Sequence, residues 1–456
     1  MNMALRQTAP KLKPEEYERN FADITPAMTP RQAAIEAERC LYCFDAPCTI
    51  ACPTRIDVPG FIKRIMTGNL LGSARVILEA NILGESCGRV CPTEVLCEGA
   101  CVMHEKGERP IEIGRLQRYA VDAAFARKAT LFHGGAANGK RVACIGGGPA
   151  SLACAAQLAQ WGYGVTIFDR REMPGGLNTY GIAAYKTRAA DALREVEMIR
   201  ALGVEFRQKT EIGKQVSFAD LEKQFDAIFI GVGLGETTPL KLPGDDTPGV
   251  FGAIEFIEMT KTQAFERVEI GNRVACIGAG NTAIDVVTAA RRLNATNVFL
   301  IYRRSEHEMP AFRYEFQLAQ KDGVTFLWQT QPVRVIAGDG AVAGLECVRT
   351  RLGEPDARGR RQPEPIPGTE FTIEVDMIVG AVGQKPVTEF LRAVKGIALR
   401  DNGTVVVDEH HRTGNPKYFA AGDCVNGGRE VVDAVAEGKA AAQALDIAQG
   451  SPRGKA

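Results

Sequence analysis

The chain carries no net charge at neutral pH, contains no apolar run of about 18 residues, and is too poor in cysteine to be a disulfide scaffold. Each shortage removes a class of function. With 55 basic and 55 acidic side chains balanced, no broad attraction to nucleic acid is implied. Without a long apolar run there is no candidate membrane-spanning helix, and the opening MNMALRQTAPKLKPEEYERNF lacks the apolar stretch of a signal peptide. A soluble, unprocessed, cytoplasmic protein is expected, with neither membrane nor nucleic acid as a partner. No Ser-His-Asp set, metal-hydrolase pattern or carboxylate pair is evident, so no side chain is singled out as catalytic. At 456 residues the chain exceeds a single ordinary core, and the length suggests about three units of roughly 150 residues.

What is there is clustered. Of 13 cysteines, eight fall in two runs, Cys40-x2-Cys43-x4-Cys48-x3-Cys52-Pro53 and Cys87-x3-Cys91-Pro92-x5-Cys97-x3-Cys101. Thiolates spaced this way on short turns, with proline after a cysteine, are a habit of iron–sulfur sites. Structural zinc also uses Cys-x2-Cys, but zinc sites favour neat pairs or admixed histidine, and His104 alone lies nearby. Between the runs, apolar residues at Val58, Phe61, Ile62, Ile65, Leu71, Ala74, Ile77 and Leu78 recur with helical spacing, with Pro59 near a helix start and Gly68 as a stop. Another helix is expected around Ile113 to Lys128. Residues 1–35, polar and rich in proline, are expected to form a mobile or partner-facing arm.

An internal repeat organises the rest. RVACIGGGPAS starts at Arg141 and RVACIGAGNTA at Arg273; each reads as a strand, a glycine-rich turn and a helix, the opening of a Rossmann unit. In the first copy Gly146, Gly148 and Ser151 stand at the G-x-G-x-x-G positions, followed by Pro149 and Ala150 at the helix start, and Asp169 ends the next strand where an acid can bind ribose hydroxyls. Arg170, Gly175, Gly176 and Leu177 follow. The second copy offers Gly278, Gly280, Asn281, Thr282 and Ala283, but its next strand ends in Arg303-Arg304. Two guanidiniums in place of an acid suit a 2′-phosphate, so NADPH is preferred over NADH, with Arg313 as a third candidate contact. The remaining cysteines read as core residues; Cys144 and Cys276 occupy the same position of the repeated strand. No Cys-x2-Cys follows residue 101, which disfavours a redox dithiol.

The closing segment KYFAAGDCVNGGREVVDAVAEGKAAAQAL, with its Gly422-Asp423 turn, reads as strand, turn and helix returning to the first Rossmann unit. The expected fold class is α/β: two Rossmann-like nucleotide-binding domains of glutathione-reductase type, one inserted in the other, preceded by an α-helical iron–sulfur domain. Its expected boundaries are 1–135 for the helical domain, 136–265 with 380–456 for the first nucleotide domain, and 266–379 for the second.

Over about residues 30 to 450 this layout resembles the glutamate synthase small-subunit superfamily. RCLYCFDAPCTIACPTRIDVPGFI, NILGESCGRVCPTEVLCEGAC, IEIGRLQRYAVD and GGLNTYGIAAYK look like the pyridine-nucleotide subunit of bacterial dihydropyrimidine dehydrogenase, whereas VRTRLGEPDARGRR and YRR-x4-EMP also look like glutamate synthase. The resemblance implies one [4Fe–4S] cluster on Cys40, Cys43, Cys48 and Cys101, and a second on Cys52, Cys91, Cys97 and Gln117, leaving Cys87 spare. It implies FAD over Gly146 to Ser151, Asp169 to Leu177, Lys186 and Gly422-Asp423, and NADPH over Gly280 to Thr282 and the arginine pair, with Gly233 and Gly383 as further cofactor-binding candidates. The implied activity is a relay from NADPH through FAD and two clusters to a partner subunit with FMN on a TIM barrel, which reduces uracil or thymine. The alternatives are the small subunit of NADPH-dependent glutamate synthase, serving 2-iminoglutarate chemistry, and a scaffold that binds nucleotides and clusters without turnover.

Overall fold

The computed structural model describes residues 5–356, 359 and 361–450. These fall into two compact units, a larger one of residues 25–179, 186–235 and 386–450, and a smaller one of residues 5–24 and 180–185 with the described residues of 236–385. No helix among the described residues is long and apolar enough to cross a membrane.

The larger unit opens with short helices that carry the cysteines. Pro30–Glu38 begins where the Thr29 hydroxyl accepts the Gln32 N–H at 3.3 Å. Asp57 caps Val58–Met66 and Asn69 caps Leu70–Ala80, each accepting an N–H three residues on. The chain breaks between these two helices at Gly68, which sits at φ +76°, the stop read from its sequence. Their apolar stripes, Val58, Phe61, Ile62, Ile65, Ile77 and Leu78, close over Leu116, Ala120 and Val121 of Ile113–Ala126. A five-stranded parallel sheet follows, ordered Tyr418–Ala420, Ala227–Ile230, Arg141–Ile145, Gly164–Phe168 and Glu205–Arg207. A parallel sheet must be covered on both faces, and here one face carries Pro149–Gln160 packed against Val431–Ala448. The two helices approach so closely at Gly438 that a Cβ there would lie 2.1 Å from the Ala150 carbonyl oxygen.

The smaller unit repeats the plan. Its parallel sheet runs Val250–Gly252, Met377–Gly380, Arg273–Ile277, Asn297–Ile301 and Thr325–Leu327. A second, antiparallel sheet of Thr330–Gly338, Ala341–Pro355, Arg361–Pro365 and Phe371–Ile373 accounts for the strand-rich stretch before Glu374.

The units are cut differently from the sequence reading, for two reasons. The sequence places residues 236–265 in the first nucleotide fold, yet Val250–Gly252 hydrogen-bonds beside Met377–Gly380 as an edge strand of the second sheet. The N-terminal arm is an anchored part of the smaller unit: Tyr17 and Phe21 are buried, Phe21 stacks on Phe265 at 4.1 Å, and the Asn20 amide donates to the Arg292 carbonyl at 3.1 Å. The mobile arm expected of residues 1–35 is corrected for 5–24; residues 1–4 lie outside the described residues.

Candidate functional site

The cysteine runs converge on two places in the larger unit. Cys40, Cys43, Cys48 and Cys101 line one cavity, walled by Val58, Pro59, Ile62, Met103, Ile111 and Ile113. Proline starts the helix Pro47–Ala51, so Cys48 and Cys52 leave opposite ends of one turn. Burial pushes the Cys48 thiol up to about 12, with Cys40 and Cys101 adding to the effect; Cys40 is raised first by burial and then by Cys43 and Cys101. Burial first, and mutual repulsion second, favour the neutral thiols here, so a cation binding among them would have to displace protons.

At the second place Cys97 is raised by burial and by its neighbours Glu98, Cys52 and Cys48. Cys91 is raised first by its hydrogen bond to Cys87, then by burial and by Cys97 and Cys52. Gln117 is buried on Ile113–Ala126, and its Nε2 donates to the Gly84 carbonyl at 2.8 Å. Its Oε1 accepts no hydrogen bond among the described residues, which leaves an oxygen lone pair for a metal. No three His, Cys, Asp or Glu among the described residues are placed to grip one metal ion. Sulfurs arranged round an apolar cavity fit ligands to separate irons of a cluster.

The first glycine turn follows from local constraint. Gly146 sits at φ +94°, and a Cβ would lie 2.5 Å from the Gly231 carbonyl oxygen. Gly148, ahead of Pro149–Gln160, faces the Cα of Gly176. Backbone N–H groups at this helix start suit a pyrophosphate. Asp169 is buried, with Oδ2 accepting the Gly147 N–H at 2.7 Å and Oδ1 the Arg171 N–H at 2.8 Å. It is raised by burial, against the pull of those two bonds.

Ser151, where the motif's third glycine would stand, is compensated from across the turn. A Cβ on Gly231 would come within 2.2 Å of the Ser151 Oγ, so Gly231 supplies the room that Ser151 fills. That Oγ is buried without a hydrogen-bond partner. Gly422 sits at φ +77°, its N–H donating to Glu437 at 2.8 Å, and Asp423 accepts the Arg429 N–H at 3.2 Å. Lys186 is buried within reach of the Glu430 charge. Sequence reasoning missed Gly231, Glu437 and Gly438; only tertiary approach marks them.

In the smaller unit Gly278 sits at φ +132°, where a Cβ would lie 2.3 Å from the Ala381 carbonyl oxygen. Gly280 opens Asn281–Arg292, and the space beside it is empty. The Asn281 side chain accepts the Phe312 N–H at 2.9 Å, and Ala283 is buried. Beyond Asn297–Ile301 the backbone is tied down, with Arg303 O accepting from Thr350 at 2.7 Å and Arg304 O from the Gln329 N–H at 2.9 Å. Among the described residues neither guanidinium has a hydrogen bond or ion pair, and the Arg304 Nε is buried without a partner. Arg313 differs: it pairs with Glu306 at 2.6 Å and lies over the Phe316 ring. The open turns at Gly233 and Gly383, at φ +62° and +101°, have free space where a Cβ would stand.

Comparison with known proteins follows these divisions. The family described as dihydropyrimidine dehydrogenase domain II, 4Fe-4S cluster, matches residues 17–129, and the pyridine nucleotide-disulphide oxidoreductase family matches 140–438. The chain belongs to the pyridine nucleotide-disulphide oxidoreductase family. It is an NADPH-dependent flavin and iron–sulfur oxidoreductase, with FAD, NADPH and [4Fe–4S] clusters as its cofactors. It is 36% identical over 458 residues to the glutamate synthase [NADPH] small chain of Escherichia coli K12, covering 97% of each chain. It is 37% identical to the corresponding chain of Halomonas elongata, covering 96% of each. The putative oxidoreductase AegA of Escherichia coli is 38% identical over 95% of this chain and 68% of its own length. Among solved structures, FprA of Mycobacterium tuberculosis in complex with NADPH superposes with a TM-score of 0.56 at 18% identity, covering 68% of this chain and 85% of its own. Thioredoxin reductase of T. acidophilum superposes with 0.52 at 21%, covering 68% and 98%. These structures share the fold of the nucleotide units.

Proposed function

We propose that the chain is the electron-input subunit of a hetero-oligomer, oxidising NADPH and delivering electrons through FAD and two [4Fe–4S] clusters to an acceptor on a partner chain. The observation that carries this reading is the end-to-end match to glutamate synthase small chains, 97% of both sequences in one case. It favours a glutamate synthase large chain as partner over the pyrimidine-reducing FMN subunit expected from the cysteine-run phrases. The pyrimidine reading remains second, supported by those phrases and by the family that matches residues 17–129.

When bound, FAD supplies a ring that takes hydride from NADPH and releases electrons singly. The chain's own residues do the rest. N–H groups behind Gly146 and Gly278 hold the dinucleotide phosphates. Asp169 binds ribose while fixing its own turn, and Arg303 with Arg304 receives the 2′-phosphate. Cys40, Cys43, Cys48 and Cys101 hold one cluster, and Cys52, Cys91, Cys97 and Gln117 the other, with apolar walls excluding water. Leu41, which lines the first cavity, is exposed, as are Phe44 and Ile50 beside the same cysteine run. Bare apolar side chains next to a cluster suit a partner's docking face.

The test is partner capture followed by assay. NADPH added anaerobically should bleach the flavin band at roughly 450 nm, and the copurifying chain should support NADPH-dependent glutamate formation. Uracil-dependent NADPH oxidation instead would move the assignment to the pyrimidine reading, and an unbleached flavin would leave a non-catalytic scaffold. Cys87→Ala should retain the iron of both clusters.

A further inference from the structure

Buried charge concentrates at one point that neither nucleotide turn uses. Within the larger unit the helix Ala189–Arg200, which belongs to the first nucleotide fold, meets the short helix Gly84–Val90, which carries Cys87 and ends at Cys91. Glu195 is fully buried there. Its Oε1 accepts the N–H of Glu85 at 2.7 Å and of Ser86 at 3.0 Å, and its Oε2 accepts the Ser86 hydroxyl at 2.5 Å.

Those two N–H groups belong to the first turn of Gly84–Val90, where a helix has no internal acceptors. The residue preceding the helix, Leu83, has an apolar side chain and makes no capping hydrogen bond. A carboxylate from a helix over a hundred positions away in sequence does that work instead. Burying a carboxylate is costly unless it is bonded, and burial pushes Glu195 above the usual carboxylate range despite its three donors. Glu85 beside it is fully buried too, raised by burial and held by Arg194 and by Arg89 at 3.4 Å, with Asp122 and Asp191 completing the charges around it. A serine or aspartate at position 83 would cap the helix more cheaply. The long-range cap achieves something a local one does not: it ties the start of this helix to the nucleotide fold.

The start of this helix is also where Gln117 is anchored, because the Gly84 carbonyl accepts from its Nε2. A side-chain amide has a donor end and an acceptor end, and only the oxygen can bind iron. While Gly84 O holds Nε2, the oxygen stays free; with that carbonyl displaced, the amide loses the hydrogen bond that sets which end faces the site. Gly84 itself has no room to shift toward its neighbours, since even a Cβ there would lie 2.6 Å from Ile77 Cγ2.

We infer that Glu195 is a positioning residue for the second cluster site, fixing the first turn of Gly84–Val90 so that the Gly84 carbonyl keeps the Gln117 oxygen available to iron. The inference rests on Gln117 being a ligand.

The experiment uses the full chain loaded with 57Fe and compared by Mössbauer spectroscopy in the oxidised state, which needs neither turnover nor reduction. Gln117→Ala should remove the one iron subsite that differs from the thiolate-bound irons. Glu195→Ala should lose the same subsite, and the double variant should match Gln117→Ala with no further change. Glu195→Gln, which retains an oxygen for both N–H groups, should keep the subsite. Retention of the subsite in Glu195→Ala, or a further change in the double variant, would overturn the positioning role while leaving the ligand intact. An unchanged spectrum in Gln117→Ala would overturn the ligand reading and this inference with it. If Glu195→Ala fails to fold, Ser86→Ala, which deletes only the hydroxyl bond, should broaden or split the same subsite; an unaltered subsite there counts against the proposal.

Discussion

The two copies of Arg-Val-Ala-Cys-Ile-Gly, at Arg141 and at Arg273, fold alike up to the turn and part company after it. In both, the cysteine is wholly buried and the first glycine is imposed by a backbone carbonyl within 2.5 Å of any Cβ, Gly231 for one and Ala381 for the other. The difference lies a strand further on. The first copy ends its next strand in Asp169, which is buried and spends both oxygens on its own turn; the second leads to Arg303 and Arg304, whose guanidiniums have no partner among the described residues. A repeated strand and turn therefore record backbone geometry, while the satisfied acid and the unsatisfied cations are what the proposed division into FAD and NADPH turns rests on.

The sharpest way to break this comparison is at the glycines. Gly146→Val should yield protein without flavin absorbance, and Gly278→Val should keep the flavin but lose its reduction by NADPH, since positive φ and a backbone clash together cost on the order of 3 kcal/mol or more. Flavin bleaching by NADPH in Gly278→Val at the normal rate would show that the second turn does not hold the nicotinamide nucleotide. Next in size is Arg303→Ala with Arg304→Ala. Loss of charged hydrogen bonds worth about 1.5–3 kcal/mol should raise the KM for NADPH roughly 10- to 100-fold, with NADH changed less than about twofold; equal effects on both would sink the 2′-phosphate assignment. Asp169→Asn places an amide donor against an N–H and should weaken FAD by about 1–2 kcal/mol, measured as flavin loss on dilution. The smallest effect concerns the irregular third position. Gly231→Ala should destabilise by about 1–3 kcal/mol through its clash with Ser151, and Ser151→Gly should recover much of it in a double-mutant cycle. Additive losses would mean that the two residues do not share that space.

Much of this architecture is legible locally. Pro59 and Gly68 bracket the helix observed as Val58–Met66, and the repeated RVACI strands pair at the centres of their sheets. The eight clustered cysteines identify their region because their spacing is set by short turns. What escapes the sequence depends on distant approach. Tyr17 and Phe21 sit among prolines and lysines with too few apolar neighbours to show a core, and the ring that receives Phe21 is Phe265. Val250–Gly252 spans three residues, too short for an alternation to reveal which sheet it joins. Gly231, Gly438 and Glu195 look like ordinary surface or helix residues until the element opposite each is known, and the Arg313–Glu306 ion pair has no local sequence signal.

The path of the chain has a consequence for its synthesis. Residues 5–24 belong to the smaller unit, yet the body of that unit is encoded from Glu236 to Lys385. Tyr17 and Phe21 therefore leave the ribosome well ahead of Phe265 and the Asn281–Arg292 helix that bury them. At about 5–20 residues per second, these aromatic side chains wait on the order of ten seconds or more without their partners. During that interval the cysteine-bearing helices emerge behind them. The nascent chain thus carries an unburied aromatic segment through the synthesis of the whole cysteine-rich region, until the body of its own unit arrives.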